Sequence, residues 1–212
     1  MPEKYIGKLA TNQVFPKNIG NLMVSPKQPA MMKTLIGALV GGILIFMWQF
    51  VSWGPGEFHY AAQQHTPKQD TILQMLDQQL GGQEGGYLLP RSAKGVSAEE
   101  MEKQMEASNG KPWAVISYHK AMDTGMGMNM ARGLLVNVLL AWLAIWIIGK
   151  YSSNSFGTTL TTCLVFGLVA FLNEPYTNFI WFKSFDIYAS LLDAVASWGL
   201  CGLWLGWWLN RK

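Results

Sequence analysis

The sequence predicts a mainly helical membrane protein: four transmembrane helices, with a small α+β extracytoplasmic insertion between the first and the second. Three observations predict it. From Leu35 to Val51 the chain is apolar except for Gly37, Gly41, Gly42 and Gln49, and at about 1.5 Å per residue a helix of that length crosses a bilayer. Three further apolar runs follow, Gly133 to Ile148, Leu160 to Leu172 and Ile187 to Leu209. Only 14% of the residues are charged, against roughly 25% in an ordinary soluble domain, so most of the chain is suited to lipid.

Residues 1–31 carry Pro2, Pro16, Pro26 and Pro29 without apolar periodicity, which predicts a flexible cytoplasmic tail. Met31 or Met32, followed by Lys33, reads as an alternative translation start. The first span, residues 32–53, is too long for the core of a signal peptide. It ends in Phe46, Trp48, Phe50 and Trp53 with no small-residue cleavage pattern, so it is expected to stay as an uncleaved anchor with its aromatics in the outer interface. Lys4, Lys8, Lys17, Lys27 and Lys33 precede it, Lys150 follows the second apolar run, and Arg211 and Lys212 follow the fourth. The positive-inside rule then places both termini in the cytoplasm. Topology thus accounts for the net charge of +3 without a nucleic-acid partner.

The insertion, residues 54–131, opens with the turn Gly54-Pro55-Gly56. Thr66-Pro67-Lys68-Gln69-Asp70 predicts a helix start, with Thr66 as cap and Pro67 in the first turn. Ile72, Leu73, Met75, Leu76 and Leu80 then recur at helical spacing until Gly81-Gly82. Gly86 to Pro90 and Trp113 to Tyr118 read as two short strands able to pair. Between them Ser97 to Ser108 reads as a short polar helix, ended near Asn109-Gly110. So small and polar a unit lacks the apolar residues for a large core of its own, and is expected to rest on the membrane surface or on a partner.

The other spans are expected at residues 132–150, 157–174 and 186–210. Gly37 with Gly41, and Gly202 with Gly206, form Gly-x-x-x-Gly pairs that permit close helix packing, by default within one chain. Asn137 and the threonines Thr158, Thr159, Thr161 and Thr162 offer hydrogen bonds between helices. Pro175 predicts that the third helix stops at Glu174, and that Pro175 to Phe185 forms an aromatic interfacial loop. Asp193 lies about two turns below Asp186, near the outer interface, where water, Lys183 or Arg132 could serve its charge. Glu174 and Asp193 at one level would make an outward-facing proton or cation site. Trp198, Trp204, Trp207 and Trp208 read as anchors of the last helix. Cys163 and Cys201 fall inside apolar runs and read as small hydrophobes without a disulfide.

Catalytic motifs are missing from the sequence: no nucleophile elbow, phosphate loop, metalloprotease helix, haem attachment motif or dinucleotide fingerprint occurs. The chain reads as a non-enzyme with no required cofactor. His59, His65 and His119 lack the spacing of a helical zinc pair and read as polar surface residues. One metal candidate stands out. His119, Met122, Met126, Met128 and Met130 precede the second span, and in an extended segment the alternating thioethers of Met126, Met128 and Met130 would share a face suited to Cu(I). The competing reading is methionine as adaptable packing where a loop meets lipid.

In order, the segments Phe46-Met47-Trp48 through Ser52-Trp53, Gly86-Tyr87-Leu88-Leu89-Pro90, Lys111-Pro112-Trp113-Ala114 through Ser117-Tyr118, and Ile180-Trp181-Phe182 with Asp193 and Trp198-Gly199 resemble a group of uncharacterised bacterial inner-membrane proteins. The resemblance runs from about Met32 to the C-terminus and favours Met32 as the start. It implies the architecture, and an address in the bacterial inner membrane, and brings no catalytic residues. The function expected is that of a non-catalytic accessory or scaffold subunit of an envelope complex, bound to a membrane-protein partner or to itself. The alternative is handling of a small solute, proton or metal through Asp193, Glu174 and the Met-rich segment.

Overall fold

The computed structural model describes residues 30–211, so the expectation of a flexible tail falls, for residues 1–29, outside the described residues. Four helical stretches are long and apolar enough to cross a membrane: Met31–Trp53, Met126–Ile148, Phe156–Phe182 and Ile187–Asn210. In chain order the elements are α1 (Met31–Trp53), a 3-10 turn (Tyr60–Ala62), α2 (Gln69–Gln79), β1 (Gly85–Leu89), α3 (Ala98–Ser108), β2 (Ala114–Tyr118) and α4 (Met126–Ile148). Then come α5 (Phe156–Phe171), a π turn (Leu172–Tyr176), α6 (Thr177–Phe182) and α7 (Ile187–Asn210).

The first and last long helices form the centre of the bundle. α1 packs against α4 on one side and α7 on the other, and α5 packs against α7, whereas α4 and α5 touch only slightly. Small residues make this possible. A Cβ on Gly42 would lie 2.5 Å from Val138 Cα, and one on Gly167 would strike the Ala194 carbonyl, so both helix pairs meet backbone to backbone. Gly37 faces Trp208 and Ile145, Gly41 faces Cys201 Sγ and Ala141, Gly202 faces Cys163 and Leu160, and Gly206 faces Phe156. Both Gly-x-x-x-Gly pairs are therefore in use between helices of one chain. Around them Ala38, Ile45, Ala141, Ala144, Ile145, Ile148, Cys163, Cys201 and Leu205 form the sealed core, with both thiols free. The outward faces are apolar as well: Leu35, Leu39, Leu135, Val169 and Leu203 stand exposed.

In the insertion, β1 and β2 pair antiparallel with Tyr87 opposite Ile116. Ser97 caps α3 by accepting a hydrogen bond from the Glu100 amide. Gly81 and Gly82, at φ of 58° and 63°, end α2 in the left-handed conformation that suits glycine.

Three boundaries differ from the sequence expectation. α2 begins at Gln69, after Thr66-Pro67, because the Gln69 amide bonds the Thr66 carbonyl and the Thr66 hydroxyl accepts from the Lys68 amide in a turn that precedes the helix. α4 begins at Met126 rather than 132: Asp123 Oδ1 accepts from the Gly125 amide at 2.8 Å, and this local turn starts the helix ahead of the apolar run. The helix after α5 does not stop at Glu174. It passes Pro175 through the π turn and continues to Phe182, in place of the expected aromatic loop. One extra residue in the turn accommodates the missing Pro175 N–H, and the Thr177 hydroxyl donates to the Leu172 carbonyl at 3.0 Å. Lys183, at φ 52°, closes α6.

Candidate functional site

Beyond Trp53 the chain doubles back on α1. The Gly56 amide bonds the Val51 carbonyl, the Phe58 amide bonds the Ser52 carbonyl, and Glu57 takes a left-handed φ of 50° to make the reversal. For a residue with a Cβ that conformation costs about 1–2 kcal/mol. The reversal brings His59 down beside the first turns of α7, where it is 4% exposed.

There both ring nitrogens meet carboxylates. His59 Nδ1 lies 2.7 Å from Asp186 Oδ2, and His59 Nε2 lies 3.0 Å from Asp193 Oδ2. The Trp48 indole N–H of α1 donates to the other oxygen of Asp193 at 2.9 Å. Trp53 covers one face of the imidazole, with centroids 3.8 Å apart and planes 5° from parallel. The Ser197 hydroxyl donates to the Asp193 carbonyl one turn further down α7. Asp186 occupies the N-cap position of α7 but spends its carboxylate on His59 and caps no amide; its negative charge is nevertheless favoured at the positive end of the helix dipole.

Each of the two contacts engages one ring nitrogen with one carboxylate oxygen, so both nitrogens of His59 are occupied. No ring nitrogen is left to act as a base toward Ser52, whose buried hydroxyl has no hydrogen-bond partner among the described residues. The arrangement clasps the return segment onto α7 through both ring nitrogens. Removal of one member of such a buried ionic cluster costs about 3–5 kcal/mol.

A second polar pair lies one residue along α1: Asn137 Nδ2 of α4 donates to Gln49 Oε1 at 2.7 Å. Towards the end of the bundle where α1 begins and α7 ends, the sealed core becomes apolar. The buried polar side chain there among the described residues is Thr159, which donates to Asn154.

The residues singled out in the sequence are distributed unevenly over this picture. Asp193 is at the centre. Glu174 is not its partner: the Glu174 carboxylate is exposed and accepts from Asn178 at 2.7 Å, while Asp193 is held by Trp48 and His59 rather than by Lys183 or Arg132. The methionines fall in the first turns of α4, so the alternation of an extended segment does not apply. At 100° per helical residue Met126 and Met130 share a face and Met128 points away from it. Met122, Met126, Met128 and Met130 are all exposed, and His119 Nε2 bonds the Ser117 hydroxyl at 3.2 Å. His119 and Met122 line an open cleft of about 760 Å³ between α2 and the segment after β2, together with Asp77, Lys120 and Asp123. No three His, Cys, Asp or Glu side chains among the described residues are placed to hold a metal ion. In the wall of the same cleft the Tyr118 hydroxyl donates to Asp77 Oδ1 at 2.6 Å, and this bond holds the phenol proton and raises its pKa above the ordinary 10.0.

His59, Asp186, Trp48 and Ser52 were not expected as a site. One signal was available: Asp186 and Asp193 are seven residues apart, two turns of one helix, and so share a face that needs a counter-charge. Nothing local to His59 reveals that it supplies it.

Comparison with protein-family models, curated proteins and solved structures finds no match to this chain. The resemblance to bacterial inner-membrane proteins therefore stands on its short motifs alone.

Proposed function

We propose that the chain is a multi-pass protein of the bacterial inner membrane, with both termini cytoplasmic, that serves as a non-catalytic accessory or scaffold subunit of an envelope complex. One observation carries the reading: neither α2 nor α3 has a buried residue. Ile72, Leu73 and Met75 of α2 and Met101 and Met105 of α3 stand exposed in a unit whose base is clasped to the bundle by His59. Amphipathic helices without a core to cover are suited to a protein partner. The test is affinity isolation of the tagged protein from native membranes in mild detergent. Stoichiometric companions, lost when Leu73 and Met105 are both changed to Ser, are expected; a protein that migrates alone sinks the reading.

A second reading, proton or cation handling, is favoured by the buried charges of Asp193, His59 and Asp186. Against passage across the bundle stands the packing of Gly41 on Cys201 and of Gly42 on the Val138 backbone. If this reading holds, Asp193→Asn abolishes a proton flux in reconstituted vesicles without loss of folded protein. Copper binding by the methionines is checked by Cu(I) titration against a competing chelator, with affinity no greater than that of isolated thioethers as the expected outcome.

A further inference from the structure

We infer that the end of the bundle opposite the insertion carries a binding site for the phosphodiester of an anionic phospholipid, in the cleft between the start of α1 and the end of α7. This rests on the reading that the four helices cross a membrane. Lys33 and Arg211 flank a cleft of about 370 Å³ whose other walls are Ala30, Met32, Ile36 and Trp208. Lys33 Nζ donates to the Arg211 carbonyl at 2.7 Å, and the Arg211 guanidinium lies 3.7 Å over the Trp208 ring, so both cations are held at one mouth.

Neither has a counter-ion among the described residues. The ion pairs among the described residues are those of His59, at the other end of the bundle, and the described acidic side chains all fall between Glu57 and Asp123 or between Glu174 and Asp193. Two neighbouring cations repel, and a ligand with one negative charge and two free oxygens relieves that repulsion. A phosphodiester does this, with one oxygen on the ammonium and the other on the guanidinium.

The walls select the rest of the ligand. The Trp208 ring, its indole N–H donating to the Lys33 carbonyl at 2.7 Å, is fixed beneath the Arg211 guanidinium. Met32 and Ile36, both exposed, supply the apolar surface of the cleft along α1. A cationic mouth above an apolar track is the chemistry of a lipid with an anionic headgroup, located where helices that span a membrane would meet its surface.

The experiment titrates the purified full chain in mild detergent with phosphatidylglycerol and with phosphatidylcholine of the same acyl chains. Bound lipid is read by native mass spectrometry and by tryptophan fluorescence, with inorganic phosphate as competitor. Phosphatidylglycerol is expected to be preferred. The double variant Lys33→Gln/Arg211→Gln should lower its affinity roughly thirtyfold, the worth of two cations beside an anionic group. Lys150→Gln, which removes a cation seated over Trp146 outside the cleft, should leave it unchanged. Equal retention of both lipids, an unchanged double variant, an equal loss in Lys150→Gln, or displacement by inorganic phosphate at matched concentration each overturns the site. Release of the wild-type chain from native membranes by alkaline carbonate would instead sink the membrane reading, which keeps the two failures apart.

Discussion

The two ends of this bundle are held together in different ways. At the insertion end, α1 and α7 are joined by directed polar contacts: Trp48 to Asp193, and His59 between Asp193 and Asp186. Where α1 begins and α7 ends, close packing is added to hydrogen bonds: Gly37 receives Trp208 and Gly41 receives Cys201, the Trp204 and Trp208 indoles donate to the Gly37 and Lys33 carbonyls, and Gly202 and Gly206 of α7 receive Cys163 and Phe156 of α5. A polar clasp fails when one partner is lost and recovers when all are replaced. A close-packed seam fails when an atom is added.

The comparison is broken most strongly by His59→Ala. It leaves two partly buried carboxylates facing each other, and about 3–5 kcal/mol of stability should be lost. Thermal unfolding in detergent reads the loss, and limited proteolysis should show faster cutting between Gly54 and Gln69. The combined variant His59→Leu/Asp186→Leu/Asp193→Leu should recover most of it, since an apolar replacement of a whole buried cluster is often neutral. If the combined variant is as unstable as His59→Ala, charge is not what the clasp contributes.

Trp48→Phe removes one hydrogen bond to a charged acceptor and should cost about 1.5–3 kcal/mol, read by the same unfolding assay. In the middle of α1, Gly42→Ala sets a methyl group against the Val138 backbone, which cannot rotate away, and should cost about 1–3 kcal/mol. Gly37→Ala meets only side-chain atoms of Trp208 and Ile145, at 3.0 and 3.1 Å, and should cost less. Equal effects of the two alanines would contradict the backbone contact between α1 and α4.

The smallest effect is expected in the insertion, at Tyr118. Its hydrogen bond to Asp77 raises the phenol pKa in the folded state, so the bond contributes fully below the ordinary value of about 10. As pH rises past that value the unfolded chain ionises first, and the contribution is lost. Proteolysis of the insertion should therefore quicken above about pH 10, and Tyr118→Phe should remove that dependence.

Apolar run length alone placed α1, α4, the stretch from Phe156 and α7, because a helix that must satisfy its own backbone in an apolar setting needs only length and composition. Glycine at both ends of a four-residue step likewise announced close packing. Polar capping was enough to place α3, and short runs of β-forming and apolar residues bounded by glycine and proline placed the two strands of the insertion. Around Pro175 the same local reasoning failed. A π turn is stabilised by contacts one residue out of register, such as Thr177 to Leu172, that no propensity records.

Four membrane-length helices and a small insertion after the first could be read from the order of residues, since each depends on composition along a short stretch. The tertiary structure decided who meets Asp193. His59 is 134 residues away in the chain, and only the reversal at Glu57 and the pairing of α1 with α7 bring the two to 3.0 Å. The carboxylate announced itself as costly, but the group that offsets the cost lies on another element. Which element that is depends on helix packing, and packing is a property of the whole chain.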